Sequence, residues 1–292
     1  MHGPTSECVR TVGIVGAGTL GRGISERLLD RGFEVSVYDP RGEATEGLEK
    51  RGARVCPSNR ELASHSELIC VWVQNDEQCR EALLGDEGVL AGAGSNAAIA
   101  IHSTVHPGTV TDLAGAASRQ KIPLIDAPVA GQGVMSLERG DFWMLGGGDE
   151  SVLERFRSVA ETFCERLLHC GPLGTGAIVK LSHNVATYTG YLAIVEAQTL
   201  ARAAGVREGV LESVAEASGT LSDAMQLMLQ SRDRRERDLP EAFSDERMRV
   251  YADILQKDLR VAMEVAAEHG VTLNGAANTA SLADFIYGLE GK

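Results

Sequence analysis

Short apolar runs alternate with longer amphipathic stretches over the first part of the chain. Strand-like runs fall at Thr11–Val15, Glu34–Tyr38, Leu68–Val73, Ala97–Ile101, Leu124–Asp126 and Phe142–Leu145. Helical stretches such as Leu20–Arg31 and Thr109–Gln120 lie between most of them. Strands that alternate with helices predict βαβ units and a mostly parallel sheet, and right-handed crossovers place helices on both of its faces. The texture changes after GPLGTG at 171–176, where β-branched runs bounded by turns cease. Ala177–Gly205 has no proline and one internal glycine, Gly190, so it reads as one long helix ended by Gly205. Arg207–Ser218, Leu221–Arg232, Met248–His269 and Ala276–Leu289 are helical in pattern too. The expected architecture is α/β: a doubly wound, mostly parallel sheet over residues 1–173, followed by an all-α C-terminal domain over 174–292 that the long helix links to it.

Within the first βαβ unit the residues read TVGIVGAGTLG, and Gly16, Gly18 and Gly21 fit GxGxxG. The pattern alone is weak, but here an apolar strand precedes it and a helical stretch follows at once. In that setting Gly16 permits the tight turn, Gly18 lets backbone approach a pyrophosphate, and Gly21 allows helix and strand to pack closely. The helix start, with Thr19 and Leu20, then turns unpaired N–H groups toward the phosphates. Asp39 ends the next strand, 18 residues beyond Gly21, close to the spacing expected of a ribose-binding carboxylate. Such a carboxylate accepts the ribose hydroxyls and repels a 2′-phosphate, which favours NAD over NADP. Arg41 qualifies that preference, because a guanidinium can stack on adenine or pair with a 2′-phosphate. The N-terminal half is therefore expected to be a Rossmann domain.

Composition narrows the function classes. Of the 292 residues, 43% are hydrophobic and 24% charged, a globular balance, and aromatics are only 4%, so the core is expected to be aliphatic. The net charge of -13 gives no general attraction to a phosphate backbone, and no nucleic-acid partner is expected. The charged run Ser231–Asp238 mixes both signs and reads as a solvated helix end or loop. Six cysteines, at 8, 56, 70, 79, 164 and 170, form no CxxC or Cys/His cluster; reduced, mostly buried thiols and no metal are expected. His102 and His106 lack further ligands nearby. Residues 1–11 have no apolar signal-peptide core, and Val185–Gly205, the most apolar segment, carries Glu196, Gln198 and Arg202. A cytoplasmic protein without a membrane span is expected.

Five separated motifs together resemble the β-hydroxyacid dehydrogenases, a family that includes 3-hydroxyisobutyrate dehydrogenases and tartronate semialdehyde reductases and is related to the 6-phosphogluconate dehydrogenases. They are the glycine loop, HSTVHPGTV at 102–110, DAPVAGQGVMSLERGDFWMLGGG at 126–148, GPLGTGAIVKLSHN at 171–184 and LQKDLRVAMEVAAEHG at 255–270. The resemblance implies an NAD(P)-dependent oxidoreductase that moves hydride between the nicotinamide and a small hydroxy acid or its semialdehyde or keto form. It implies Lys180 as the catalytic residue and Asn184, four residues on and so on the same helix face, as its substrate-orienting neighbour. A lysine suits the chemistry, since an ammonium stabilises the carbonyl oxygen as hydride arrives and supplies its proton. Thr104 matches a residue beside the nicotinamide, and Val73, Gln74 and Lys257 are implied as further cofactor contacts. Ser103 and His183 are implied as substrate contacts, and the backbone at Gly131 as a carboxylate cradle.

The chain departs from the pattern at Ala130-Gly131-Gln132, where the family usually has Ser-Gly-Gly. The lost hydroxyl and added amide put simple 3-hydroxy acids in doubt as substrates. Lys-x-x-His-Asn resembles the 6-phosphogluconate enzymes, but Thr187 stands where they carry a catalytic Glu. Two other readings remain at this point: an imine reductase, disfavoured by Lys180, and a non-catalytic nucleotide-binding module. A homodimer or higher homo-oligomer is expected, with the substrate site between the two domains.

Overall fold

The structure, a computed structural model, describes residues 9–236 and 244–289. The chain divides into two compact units, residues 1–180 and 181–292. The first is built on a nine-stranded sheet: β1 Thr11–Val15, β2 Glu34–Tyr38, β3 Arg54–Val55, β4 Leu68–Val71, β5 Ala98–Ile101, β6 Leu124–Asp126, β7 Val129–Ala130, β8 Phe142–Gly147 and β9 Cys164–Gly171. Its order is β3-β2-β1-β4-β5-β6-β8-β7, with β9 also on β8. Strands β1 to β6 pair in parallel, and β8 runs antiparallel to β6 and β7. The chain order reverses direction at β1, which opens a crevice between β1 and β4 at their carboxyl ends.

Helices α1 Thr19–Asp30, α2 Asn59–Ser64, α3 Asp76–Leu84, α4 Val89–Gly92, α5 Pro107–Arg119, α6 Val134–Arg139, α7 Glu150–Arg155 and α8 Arg157–Ala160 complete this unit. Every residue of β4 and β5 is buried. That is why these strands read as continuous apolar runs: both faces of the sheet are covered. The side chains still alternate between two cores. Val12, Ile14, Leu68, Cys70, Ala98 and Ala100 pack with Ile24, Leu28 and Phe156. Val15, Ile69, Val71, Ile99 and Ile101 pack with Leu62, Leu83 and Leu113.

The second unit is helical. Helix α9, Thr175–Ala203, crosses the boundary, and α10 Val210–Ala217, α11 Asp223–Glu236, α12 Asp245–Glu268, α13 Asn274–Ser281 and α14 Ala283–Ile286 follow. Leu192, Val195, Met228, Leu255, Leu259 and Ile286 are among its core residues. Gly205 ends α9 as expected, at φ +73°, with its amide bonded to the Arg202 carbonyl at 3.1 Å. Helix α12 begins before the apolar periodicity does, because Ser244 caps it by accepting from the Arg247 amide and Asp245 and Glu246 occupy the first turn. The single helix expected at Ala276–Leu289 is instead two, divided at Leu282, whose backbone (φ -110°, ψ 19°) leaves the helical region.

The strands β3, β7 and β9 were not expected. Two residues give β3 and β7 no readable period, and β9 alternates poorly because much of it is exposed. Cys56, Cys70, Cys79 and Cys164 are buried and Cys170 half-buried, all as thiols. Part of Ser231–Asp238 lies outside the described residues, as does Cys8; 231–236 close α11. Among the described residues no helix is long and apolar enough to cross a membrane.

Candidate functional site

The glycine loop joins β1 to α1, and its geometry requires glycine twice. Gly16 sits at φ +90°, and a Cβ there would stand 2.3 Å from the Trp72 carbonyl oxygen. A Cβ on Gly21 would stand 2.0 Å from the Gly16 carbonyl oxygen, so any larger residue would push α1 off the loop. Gly18 is different: a Cβ there would come no closer than 3.9 Å to Arg41, which leaves open space over its backbone. It precedes the first turn of α1, where Thr19 is exposed, Leu20 is half-buried, and no side chain caps the N–H groups. An uncapped helix end beside open backbone is the arrangement that accepts an anionic phosphate.

Asp39 closes the loop from β2. Its Oδ2 accepts from the Ala17 amide at 2.9 Å, and its Oδ1 from the Arg41 amide at 2.9 Å and Arg41 Nε at 3.1 Å. Burial alone would push this carboxyl up; the donors from Arg41 and Ala17 outweigh it and hold it below the usual carboxylate range. Gly16, Gly18, Asp39, Arg41, Val73 and Gln74 all line one cavity of about 900 Å³. Ser58, Asn59 and Trp72 line it too. No sequence signal pointed to Ser58 or Asn59, because the two-residue β3 delivers them. The structure thus brings six of the expected cofactor residues to one cleft. Thr104 is half-buried in the β5–α5 loop and does not line this cleft.

Beneath the cleft lies an aromatic stack. The Trp72 and His102 rings are parallel at 4.3 Å, and Phe163 meets both edge-on. His102 Nδ1 bonds the Ala127 carbonyl at 2.6 Å, so that nitrogen carries a proton and donates it to the carbonyl oxygen. Burial drives its pKa down to about 4 against the opposing pull of that carbonyl. Ser103 is buried, and its hydroxyl accepts from the Val73 amide at 2.8 Å while facing the Val71 carbonyl at 3.3 Å. It therefore ties the end of β5 to the turn after β4.

In the segment after β7, Gly131 has no room for a side chain: a Cβ would stand 2.5 Å from the Phe142 ring and 2.7 Å from Ser136 Oγ. Ala130 pairs with Trp143 across the sheet. The Gln132 amide donates to Ser136 Oγ at 2.8 Å. The Gln132 side chain is also held, its Oε1 accepting from Arg139 at 3.1 Å, and Arg139 in turn pairs with Asp141.

Helix α9 carries Lys180 and, one turn on, Asn184. Lys180 is half-buried between the buried Ala177 and Leu181, while Ile178 and Val179 are exposed. Asn184 is 4% exposed, and its Nδ2 donates to Asp258 Oδ2 at 2.7 Å. Tyr188, a further turn along, donates its hydroxyl to the same oxygen at 3.2 Å. Lys257 pairs with Asp258 Oδ1 at 2.8 Å. Asp258 is thus the centre of a buried network that the sequence placed in a motif without assigning it a role. His183 is exposed, 3.4 Å from Asn184 Oδ1. Among the described residues no group of three or more His, Cys, Asp or Glu could hold a metal ion.

Comparison with known proteins places this geometry in context. Residues 11–171 match the family described as the NAD binding domain of 6-phosphogluconate dehydrogenase. Residues 174–289 match the one described as NAD-binding of NADP-dependent 3-hydroxyisobutyrate dehydrogenase. An uncharacterized oxidoreductase of Mycobacterium tuberculosis is 32% identical over 195 residues, 67% of this chain and 65% of that protein, so the match spans less than two thirds of the relative. The structure of a 3-hydroxyisobutyrate dehydrogenase from Mycobacterium tuberculosis, solved with L-serine, superposes with a TM-score of 0.78 at 24% identity, over 96% of this chain and 94% of the other. An imine reductase from Myxococcus stipitatus gives a TM-score of 0.65 at 15% identity, over 97% and 94%. At these identities the two structures speak to the fold alone.

Proposed function

The chain belongs to the β-hydroxyacid dehydrogenase family, which binds a nicotinamide cofactor, and we propose that it catalyses reversible hydride transfer between NAD(H) and a small hydroxy acid. The oxidised partner is the corresponding semialdehyde or keto acid. The observation that carries this reading is the pairing on α9: a half-buried lysine, Lys180, one turn ahead of Asn184, whose amide Asp258 holds in a fixed orientation.

The nicotinamide supplies or takes the hydride. In reduction, Lys180 donates a proton to the carbonyl oxygen as negative charge builds there, and in oxidation its neutral amine takes the proton back. Asn184 orients the substrate oxygen. His183 and Ser103 stand as further substrate contacts, and Gly131 offers backbone to the substrate carboxylate with Ala130 and Gln132 at its sides. Gly16, Gly18 and Gly21, with Thr19 and Leu20, seat the pyrophosphate; Val73 and Gln74, which line the cleft, contact the rest of the cofactor, and the family resemblance supports Thr104 and Lys257 as further contacts outside it. Asp39 supports a preference for NAD, because its carboxylate faces the cleft and already engages Arg41, the cation that a 2′-phosphate would need. NADP is the alternative cofactor. A cytoplasmic homodimer fits this reading, since unpaired cysteine thiols suit a reducing compartment and exposed Leu200 and Val214 suit coverage by a second copy.

The test is NADH and NADPH oxidation against a panel of small carbonyl acids and cyclic imines, with wild type and Lys180→Ala side by side. Turnover of an acid that falls at least a hundredfold in the variant supports the proposal. Turnover of imines alone, or of acids without dependence on Lys180, overturns it. NADH binding with no turnover of any panel member would favour a binding module.

A further inference from the structure

The buried carboxylate of Asp126 takes no part in the chemistry above, yet it sits where the lysine helix begins. Asp126 ends β6 and is 1% exposed. Its Oδ1 accepts from the Gly174 amide at 2.7 Å and its Oδ2 from the Ala177 amide at 2.7 Å. Helix α9 starts at Thr175, so this one side chain satisfies donors on either side of the helix start. A carboxylate there also complements the positive end of the helix. The surroundings are shaped to admit it. A Cβ on Gly147 would lie 2.4 Å from Asp126 Oδ1, and one on Gly176 would lie 2.8 Å from Oδ2 and 2.1 Å from the Leu145 carbonyl oxygen. Both positions are glycine because carboxylate and backbone occupy the space a side chain needs. Burial pushes the Asp126 carboxyl up, against the four backbone donors that favour its charged form.

We propose that Asp126 is the positioning residue for Lys180, pinning the first turn of α9 to the carboxyl end of β6. Ala177, the residue it holds, precedes Lys180 by three, or about 4.5 Å of helix axis. An error of about an ångström at the reacting group can cost a hundredfold in rate. The clamp therefore acts on turnover more than on cofactor binding, which belongs to the loop at β1. Its kinetic consequence rests on the proposed role of Lys180; its mechanical consequence does not.

Asp126→Asn keeps the shape but turns a donor toward one of the two amides. Gly147→Ala keeps the carboxylate and pushes it from its seat. In both variants kcat is expected to fall by thirtyfold or more, with the KM for substrate and the Kd for NADH within about twofold of wild type. Two readouts need no turnover. Hydrogen exchange at Gly174 and Ala177 should speed at least tenfold while Leu192–Val195 stays protected. Acetylation of Lys180 by acetic anhydride, referenced to Lys257 in the same sample, should change rate severalfold. A wild type that reduces no carbonyl acid would sink the proposed function, and exchange and acetylation would still decide the clamp. Unchanged exchange and acetylation, or kcat within twofold of wild type, would overturn it. So would a parallel loss of kcat and NADH affinity, or failure of both variants to fold, since either would make Asp126 a residue of general stability.

Discussion

The carboxylate of Asp39 accepts a hydrogen bond from the amide of Ala17, at 2.9 Å, across 22 residues of chain. Ala17 lies between the first two glycines of the loop, so the residue proposed to read the ribose also braces the turn that seats the pyrophosphate. Asp39→Ala should therefore weaken NADH at least tenfold through both effects and weaken NADPH less, because removing the carboxylate lifts its repulsion of a 2′-phosphate. Fluorescence titration with each nucleotide measures this. Equal losses for the two nucleotides would mean that Asp39 serves the loop alone.

His102 makes a prediction about stability and pH. The folded state holds its pKa near 4, against 6.5 for an unburied histidine, chiefly through burial. A folded value below the unfolded one means that the unfolded chain binds the proton first. The stabilisation is thus complete above pH 6.5, declines as pH falls toward 4, and is flat below that, for a total of about 3 kcal/mol. Urea unfolding of wild type and His102→Phe at intervals from pH 7 to 4 should show a steeper decline in the wild type, as phenylalanine keeps the stack on Trp72 without the titration. Parallel curves would show that His102 protonates alike in both states.

Much of this architecture is legible in the amino-acid sequence, for physical reasons that differ by element. The strands β1, β2, β4, β5 and β6 are buried apolar runs, so burial wrote them into the composition. Gly16 and Gly21 are legible because steric exclusion leaves no other residue. Ser58 and Asn59 are not, since nothing local marks a residue that reaches the cleft through a two-residue strand. Asp126 and Asp258 stand in the sequence only as letters within motifs. The amides they accept from, at Gly174, Ala177 and Asn184, lie 48 to 74 residues away in the chain, and no local period encodes a contact at that range.

Gln132 should tune substrate choice. Arg139 holds its Oε1, so the Nε2 end is the one that can donate to a substrate oxygen. We predict that Gln132→Gly changes the ratio of kcat/KM between acids with and without a second polar group by about tenfold, the scale of one hydrogen bond to a substrate. Arg139→Ala, which frees the amide to rotate, should move the ratio in the same direction by less. Competition assays on paired acids read this directly. A ratio unaffected by Gln132→Gly would leave the glutamine outside the substrate pocket.

The Asp258 network separates orientation from stability. Tyr188→Phe removes one donor to Asp258 and leaves Asn184 in place, so it should cost about 1 kcal/mol of stability and change kcat by less than threefold. Asp258→Ala strips partners from Asn184, Tyr188 and Lys257 together. Breaking a buried pair from one side strands the other, and a loss of about 3 kcal/mol is expected. Freed from Asp258, the Asn184 amide can rotate away from the orientation proposed for the substrate oxygen, so kcat should fall at least thirtyfold. Asp258→Asn discriminates between the two effects, because its carbonyl can still accept from Asn184 while its charge for Lys257 is gone. Recovery of kcat in Asp258→Asn without recovery of stability would assign turnover to Asn184 and stability to the ion pair. Recovery of stability alone would reverse that assignment and place Lys257, rather than Asn184, nearer the chemistry.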